Sequence, residues 1–185
     1  FDNGIEGFHA QLPNAQFDFV SANYDFSNTV LHGLVEPYKI FKKNGIKVGV
    51  FGLGVGLAGL VDKKNYKETI YNDPVAISQD MARILRHEQH CDLVICLSHL
   101  GYEYKSEVDK DKISDVKLAT LTKDIDLIIG GHTHTFLNKP TVLKNADGQD
   151  VIVNQVGCYG INLGRIDFYL DSDKSKIAYG KSIVV

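Results

Sequence analysis

Two short apolar runs, Asp92-Leu93-Val94-Ile95-Cys96-Leu97 and Asp126-Leu127-Ile128-Ile129, constrain this chain more than any other feature. Each opens on an aspartate, and each is short, apolar and rich in branched side chains, which predicts a buried strand rather than a helix. Each then hands off to histidine: Ser98-His99-Leu100-Gly101 after the first, Gly130-Gly131-His132-Thr133-His134 after the second. In an open α/β sheet, ligands collect beyond the carboxyl ends of the parallel strands, so neighbouring strands would bring His99, His132 and His134 together. Gly130 and Gly131 end the second run and let the backbone approach a ligand. His132 and His134 are two apart, and an extended loop would turn both rings to the same side, which is a metal-ligand spacing. A lone histidine is more often a satisfied core or surface residue. Three of the chain's seven histidines at equivalent strand ends point instead to neutral imidazoles serving as metal ligands.

Gly131-His132-Thr133-His134, preceded by Ser98-His99, resembles the second half of a calcineurin-like metallophosphoesterase of the 5′-nucleotidase branch. Phe1-Asp2-Asn3-Gly4 is similar to the tail of that family's Gly-Asn-His-Glu-Phe-Asp-x-Gly motif, and Ser21-Ala22-Asn23-Tyr24 resembles a segment shortly after it. The resemblance covers nearly the whole chain, in order. It implies an α/β fold, part of a four-layer α/β/β/α sandwich with mixed sheets, whose leading strands and Asp-x-His, Gly-Asp and Gly-Asn-His segments lie upstream of Phe1. Residues 1–185 are then expected to form a single metallophosphoesterase domain, N-terminally incomplete.

For the site, the resemblance implies that His99 and His132 bind one divalent ion and His134 a second, with Asp2 orienting the catalytic histidine. The cofactor would be two divalent metal ions of the zinc, manganese or iron class. The implied reaction is hydrolysis of a phosphate ester, a nucleotide foremost, by a metal-activated water, and the segment alone is expected to be catalytically incomplete. A cyclic phosphodiester or a nucleotide sugar remains open as substrate. A separate C-terminal substrate-binding domain or chain would supply the base pocket, and a role in nucleotide catabolism with periplasmic or secreted placement is typical of the branch.

Bulk properties are ordinary for a soluble globular protein and exclude other classes. A chain of 185 residues, 44% hydrophobic and 23% charged, can bury one sizeable core and needs no second domain. It has no transmembrane-length apolar run. A formal net charge of -3 with scattered basic residues leaves no footprint for nucleic acid or an anionic membrane, so an anionic substrate would need bound cations. Cys91, Cys96 and Cys158 form an odd count without framework spacing, and the first two read as small buried hydrophobes. The start at Phe1, without methionine or a signal-like segment, is read as that of a processed or excised piece.

The remaining elements follow from pattern. Ile5, Phe8 and Leu12 predict a short amphipathic helix before Pro13, with His9 exposed on it, and residues 17–22 have strand character. Pro37–Lys42 and Ile46–Phe51 form a hairpin around Lys43-Asn44-Gly45, and His32 lies before it in polar surroundings. Gly52 to Gly59 contains Gly-x-Gly-x-x-Gly, but Asp73-Pro74 reads as the N-cap and first position of the next helix rather than as a ribose contact, which argues against a dinucleotide site. That helix is expected to run from Pro74 to about His90, with Val75, Ile77, Met81, Ile84 and Leu85 inward and His87 and His90 capping its C-terminus. Residues 102–115 read as a solvated polar loop, and 116–122 as a crossover helix between the two histidine-bearing strands. The remainder is all β: 140–144 and 151–156 around Asn145-Ala146-Asp147-Gly148, then 161–170 and 177–185 separated by Asp171-Ser172-Asp173. Two competing readings stand beside the phosphoesterase. One is a module holding a single zinc ion on the three histidines with water in the fourth position; the other is an α/β nucleotide-binding or interaction domain in which the histidines do nothing.

Overall fold

The structure is a computed structural model and describes residues 1–171 and 176–184. From the N-terminus it runs α1 (Gly4–Gln11), β1 (Tyr24–Asp25), β2 (Tyr38–Lys43), β3 (Ile46–Leu53), α2 (Lys63–Tyr66), β4 (Ile70–Tyr71) and α3 (Pro74–Arg83). There follow β5 (Leu93–Ser98), α4 (Asp115–Leu121), β6 (Leu127–Ile129), β7 (Thr141–Lys144), β8 (Asp150–Asn154), β9 (Asn162–Leu170) and β10 (Lys176–Val184). Part of the proposed turn after Asp171, together with Val185, lies outside the described residues.

Six strands make a mixed sheet in the order β2-β3-β5-β6-β8-β7. The three inner pairings are parallel and the two edge pairings antiparallel. Asn44 and Gly45, at φ 51° and 80°, close the β2–β3 hairpin with the two positive φ values that a type I′ turn requires. Register places Phe51, Cys96, Ile128 and Val153 in one row across β3, β5, β6 and β8. All four are fully buried, packed beneath Leu85 and the α4 residues Leu118 and Ala119. Burying a side chain the size of Phe, Ile or Val stabilises by about 1.5–3 kcal/mol, so this row anchors the strands whose ends carry the histidines. On the opposite face the next row contains Leu97 and Ile129, 41% and 42% exposed. The antiparallel β9–β10 ladder reaches this face, with Gly164 against the Asn154 and Val156 side chains and Lys176 Nζ donating to Asp126 Oδ1 at 2.5 Å.

Several expectations need correction. Residues 17–22 form no strand, only a single bridge from Val20 to Glu36. Asp73 does cap α3, accepting from the Ala76 N–H at 2.8 Å, but the α-helix stops at Arg83 and a π-helical turn covers Ile84–Glu88. The fully buried stripe is Ser78, Ala82 and Leu85, while Val75, Ile77 and Met81 are half-buried against the core as expected and Ile84 is half-buried. His90 lies beyond the last turn, in a left-handed position, φ 54°, that ends it as the Cys91 N–H bonds back to the Leu85 carbonyl at 2.9 Å. His87 does fall in the last turn and also pairs with Asp124 at 3.0 Å. The three cysteines are free, with Cys91 and Cys96 buried. Among the described residues no helix is long and apolar enough to cross a membrane.

Candidate metal centre

Parallel pairing of Leu97 with Ile129 stops β5 and β6 side by side, and the residues that follow each strand share one rim. There the His99 and His132 rings meet edge to face, centroids 5.1 Å apart and planes at 67°. The convergence expected from the two matched runs is present for this pair. His134 is exposed, with its ring 6.1 Å from that of Tyr159, yet close enough to repel protons from both neighbours. His99 has its pKa lowered by desolvation first and then by His132 and His134, with Asp2 opposing. His132 is lowered by desolvation, then by His134 and Lys112. A depressed pKa favours neutral imidazole, the form that donates a lone pair to a cation.

The loop carrying His132 and His134 is not extended, contrary to the expectation from their spacing. The Thr133 N–H donates to the Gly131 carbonyl at 3.0 Å across His132 at φ 74°, a γ-turn of the rare strained form. His134 is left-handed as well, at φ 52°. Gln155, buried after β8, holds the bend: its Nε2 donates to the Gly131 carbonyl at 2.7 Å, and its Oε1 accepts from Thr133 Oγ1 at 3.2 Å and from the Thr135 N–H. Strain retained in this way clusters at functional sites.

Asp2 is exposed and lines, with His99 and His132, a cavity of about 650 Å³ whose other walls include Phe1, Phe8 and Tyr24. Among the described residues, no three His, Cys, Asp or Glu side chains converge as a set able to hold a metal ion by themselves. The donor chemistry of His99 and His132 therefore fits a divalent ion, while the set is short of a complete shell.

Sequence reasoning missed Asp115 and Gln155. Asp115, read as the end of a solvated loop, is fully buried at the start of α4. The available signal was Ser114, which caps that helix by accepting from the Lys117 N–H and so makes Asp115 its first residue. Gln155 lay inside an apolar strand pattern, where a polar residue next to a bent loop is the only hint.

A mixed α/β sheet with imidazoles gathered beyond the ends of adjacent parallel strands defines the class: an α/β protein with its ligand site at the strand exits. A family model described as "Bacterial capsule synthesis protein PGA_cap" matches residues 33–145, and the chain belongs to that family; its relatives and structural neighbours also make it a calcineurin-like metallophosphoesterase of the 5′-nucleotidase branch. Over 92% of its length the chain is 31% identical to the trifunctional nucleotide phosphoesterase protein YfkN of Bacillus subtilis, and over 72% it is 32% identical to a 5′-nucleotidase of Vibrio cholerae. A crystal structure of a 5′-nucleotidase precursor from Thermus thermophilus superposes on all of it with TM-score 0.81 at 28% identity. The chain spans 12% and 24% of the two sequence relatives and 37% of the Thermus chain.

Proposed function

We propose that this chain forms the histidine-bearing part of the active site of a metal-dependent phosphohydrolase of 5′-nucleotidase type, acting on phosphate esters and on nucleotides foremost. The observation that carries the reading is the apposition of His99 and His132 at the ends of β5 and β6. Hydrolysis of a phosphate ester needs positive charge at the phosphoryl oxygens and a nucleophile that exists near neutral pH. Two divalent ions of the zinc, manganese or iron class supply both when bound.

On this proposal His99 and His132 hold one ion and His134 the other. The lowered pKa of His99 and His132 favours neutral rings that meet the cation without first losing a proton, and the γ-turn fixes the direction of His132 before metal arrives. Asp2, on the same cavity wall, orients the histidine that assists the leaving group. The apolar walls of the cavity limit water beside the reacting phosphate. Because three imidazoles are too few for a dinuclear site, the remaining ligands, a bridging carboxylate among them, come from outside these 185 residues. Periplasmic or secreted placement belongs to the same proposal.

The test compares this chain with the full gene product that contains it, using AMP and p-nitrophenyl phosphate with added manganese or zinc. The full product is expected to turn over both substrates and to lose activity on His132→Ala, and the 185-residue chain is expected to turn over neither. Turnover by the 185-residue chain would overturn the division of the site, and full activity of the His132→Ala product would overturn the site itself.

A further inference from the structure

One buried acid has no part in the chemistry above. Asp115 has no exposed surface, and its N–H donates to the Gly101 carbonyl at 2.7 Å. Ser98 Oγ donates to Asp115 Oδ1 at 2.5 Å while accepting from the Leu100 N–H at 3.1 Å, so the residue just before His99 has its hydroxyl fixed from both sides. Asp115 Oδ2 is buried with no hydrogen-bond partner. It faces Gly130 so closely that a Cβ there would overlap it. Gly130 is itself held to β8, donating to the Asn154 carbonyl at 2.8 Å, and two residues later comes His132.

We infer that Asp115 is a positioning residue, its carboxyl wedged between Ser98 Oγ and the Gly130 backbone so that it sets the spacing of the two strand ends that carry His99 and His132. A buried carboxyl with one oxygen unpartnered is costly unless it keeps its proton. Burial does push Asp115 up to about 7, against the lowering effect of the Ser98 hydrogen bond. A neutral group can lie flat on the Gly130 backbone with no cation opposite it. The missing side chain at position 130 has the same explanation: the space is occupied by the acid. Gln155 braces the loop from the β8 side through the Gly131 carbonyl, so the two supports act on adjacent residues.

Only the metal half of the test rests on the proposed function. Asp115→Asn, Asp115→Ala and Ser98→Ala are compared with the parent by long-range ¹H–¹⁵N spectra of the His99 and His132 imidazoles in metal-free protein, by cobalt(II) titration of the full gene product, and by thermal melting. Asp115→Asn, which keeps the shape and a partner for Ser98, is expected to retain the parent imidazole resonances and cobalt affinity. Asp115→Ala is expected to shift both imidazoles and to weaken cobalt binding about tenfold or more, as loss of a group supporting the ligands does. Should Asp115→Ala fail to fold, Ser98→Ala decides, since it removes one contact of the wedge and is expected to move the same resonances. Unchanged imidazole resonances in a folded Asp115→Ala or Ser98→Ala protein would overturn the inference. If the full gene product that contains the chain binds no cobalt, the metal reading fails, while the imidazole spectra still judge the wedge.

Discussion

His99 and His132 stand edge to face at 5.1 Å although a polar loop and a helix separate them in the chain. The cause is register: parallel pairing sets Leu97 beside Ile129, and each histidine follows within a few residues. Their shared position predicts non-additive loss of metal. In the full gene product, His99→Ala and His132→Ala are each expected to weaken zinc binding at least tenfold by isothermal titration, and the double variant little further, since residues acting on one ligand couple. Additive losses would place the rings in separate sites. His99→Ala is expected to leave stability within about 0.5 kcal/mol, as exposed positions do.

The γ-turn at His132 makes a second prediction, about stability alone. With φ at 74°, any residue bearing a Cβ is strained by about 1–2 kcal/mol relative to glycine. His132→Gly is therefore expected to unfold at higher urea concentration than His132→Ala, although both lose the imidazole. Equal midpoints would mean that Gln155 does not impose the bend.

Local pattern carried most of the architecture. Asn44-Gly45 forced the hairpin, Asp73-Pro74 opened α3, and the matched aspartate-led runs located β5 and β6, because turn geometry, capping and strand period are properties of a few consecutive residues. What escaped depends on distant partners. The bend at His132 is held by Gln155, more than twenty positions away, and no spacing rule anticipates it. Asp115 sits in a run of Lys, Asp and Glu that looks solvated, and only the tertiary approach of Ser98 and Gly130 buries it. On the π-turn after Arg83, Arg86 reaches across to Asp124 and Asp126 just before β6, again a contact between elements.

Asp115 also makes stability depend on pH in a stated direction. The folded chain keeps this proton up to about pH 7, whereas the ordinary carboxyl value is 3.8. Between those values the folded state binds more protons than the unfolded one, so the contribution is fully present below 3.8 and is lost as pH rises through about 7. The lost stability is up to roughly 4 kcal/mol. Asp115→Asn does not titrate, so the parent's stability minus the variant's is expected to fall steadily between about pH 4 and 7 and then level off. Urea melts of both proteins across that window provide the check, and a flat difference would place the carboxyl in its ionised form throughout.

The opposite end of β5 and β6 is tied by Arg86, which lies on the π-turn. One terminal nitrogen donates to the Cys91 and Asp92 carbonyls, each at 2.8 Å, and the other to the Asp124 carbonyl at 3.1 Å and to Asp126 Oδ2 at 2.5 Å. Arg86 and Asp126 are largely buried, with side chains 18% and 14% exposed, and Asp126 also accepts from the Val94 N–H at 2.7 Å. Truncating one partner of such a pair leaves a shielded charge and several carbonyls unsatisfied, so Arg86→Ala is expected to cost about 3–5 kcal/mol. The remaining ion pair between Asp126 and Lys176 biases the result to the lower end of that range. Arg86→Lys is expected to recover little, because an ammonium cannot fork to carbonyls on two sides as a planar guanidinium does. Since these contacts lie at the strand entries and the histidines at the exits, zinc affinity of the folded Arg86→Ala protein is expected to match the parent. A loss of affinity at unchanged stability would reverse that separation and make the lower tie part of the site.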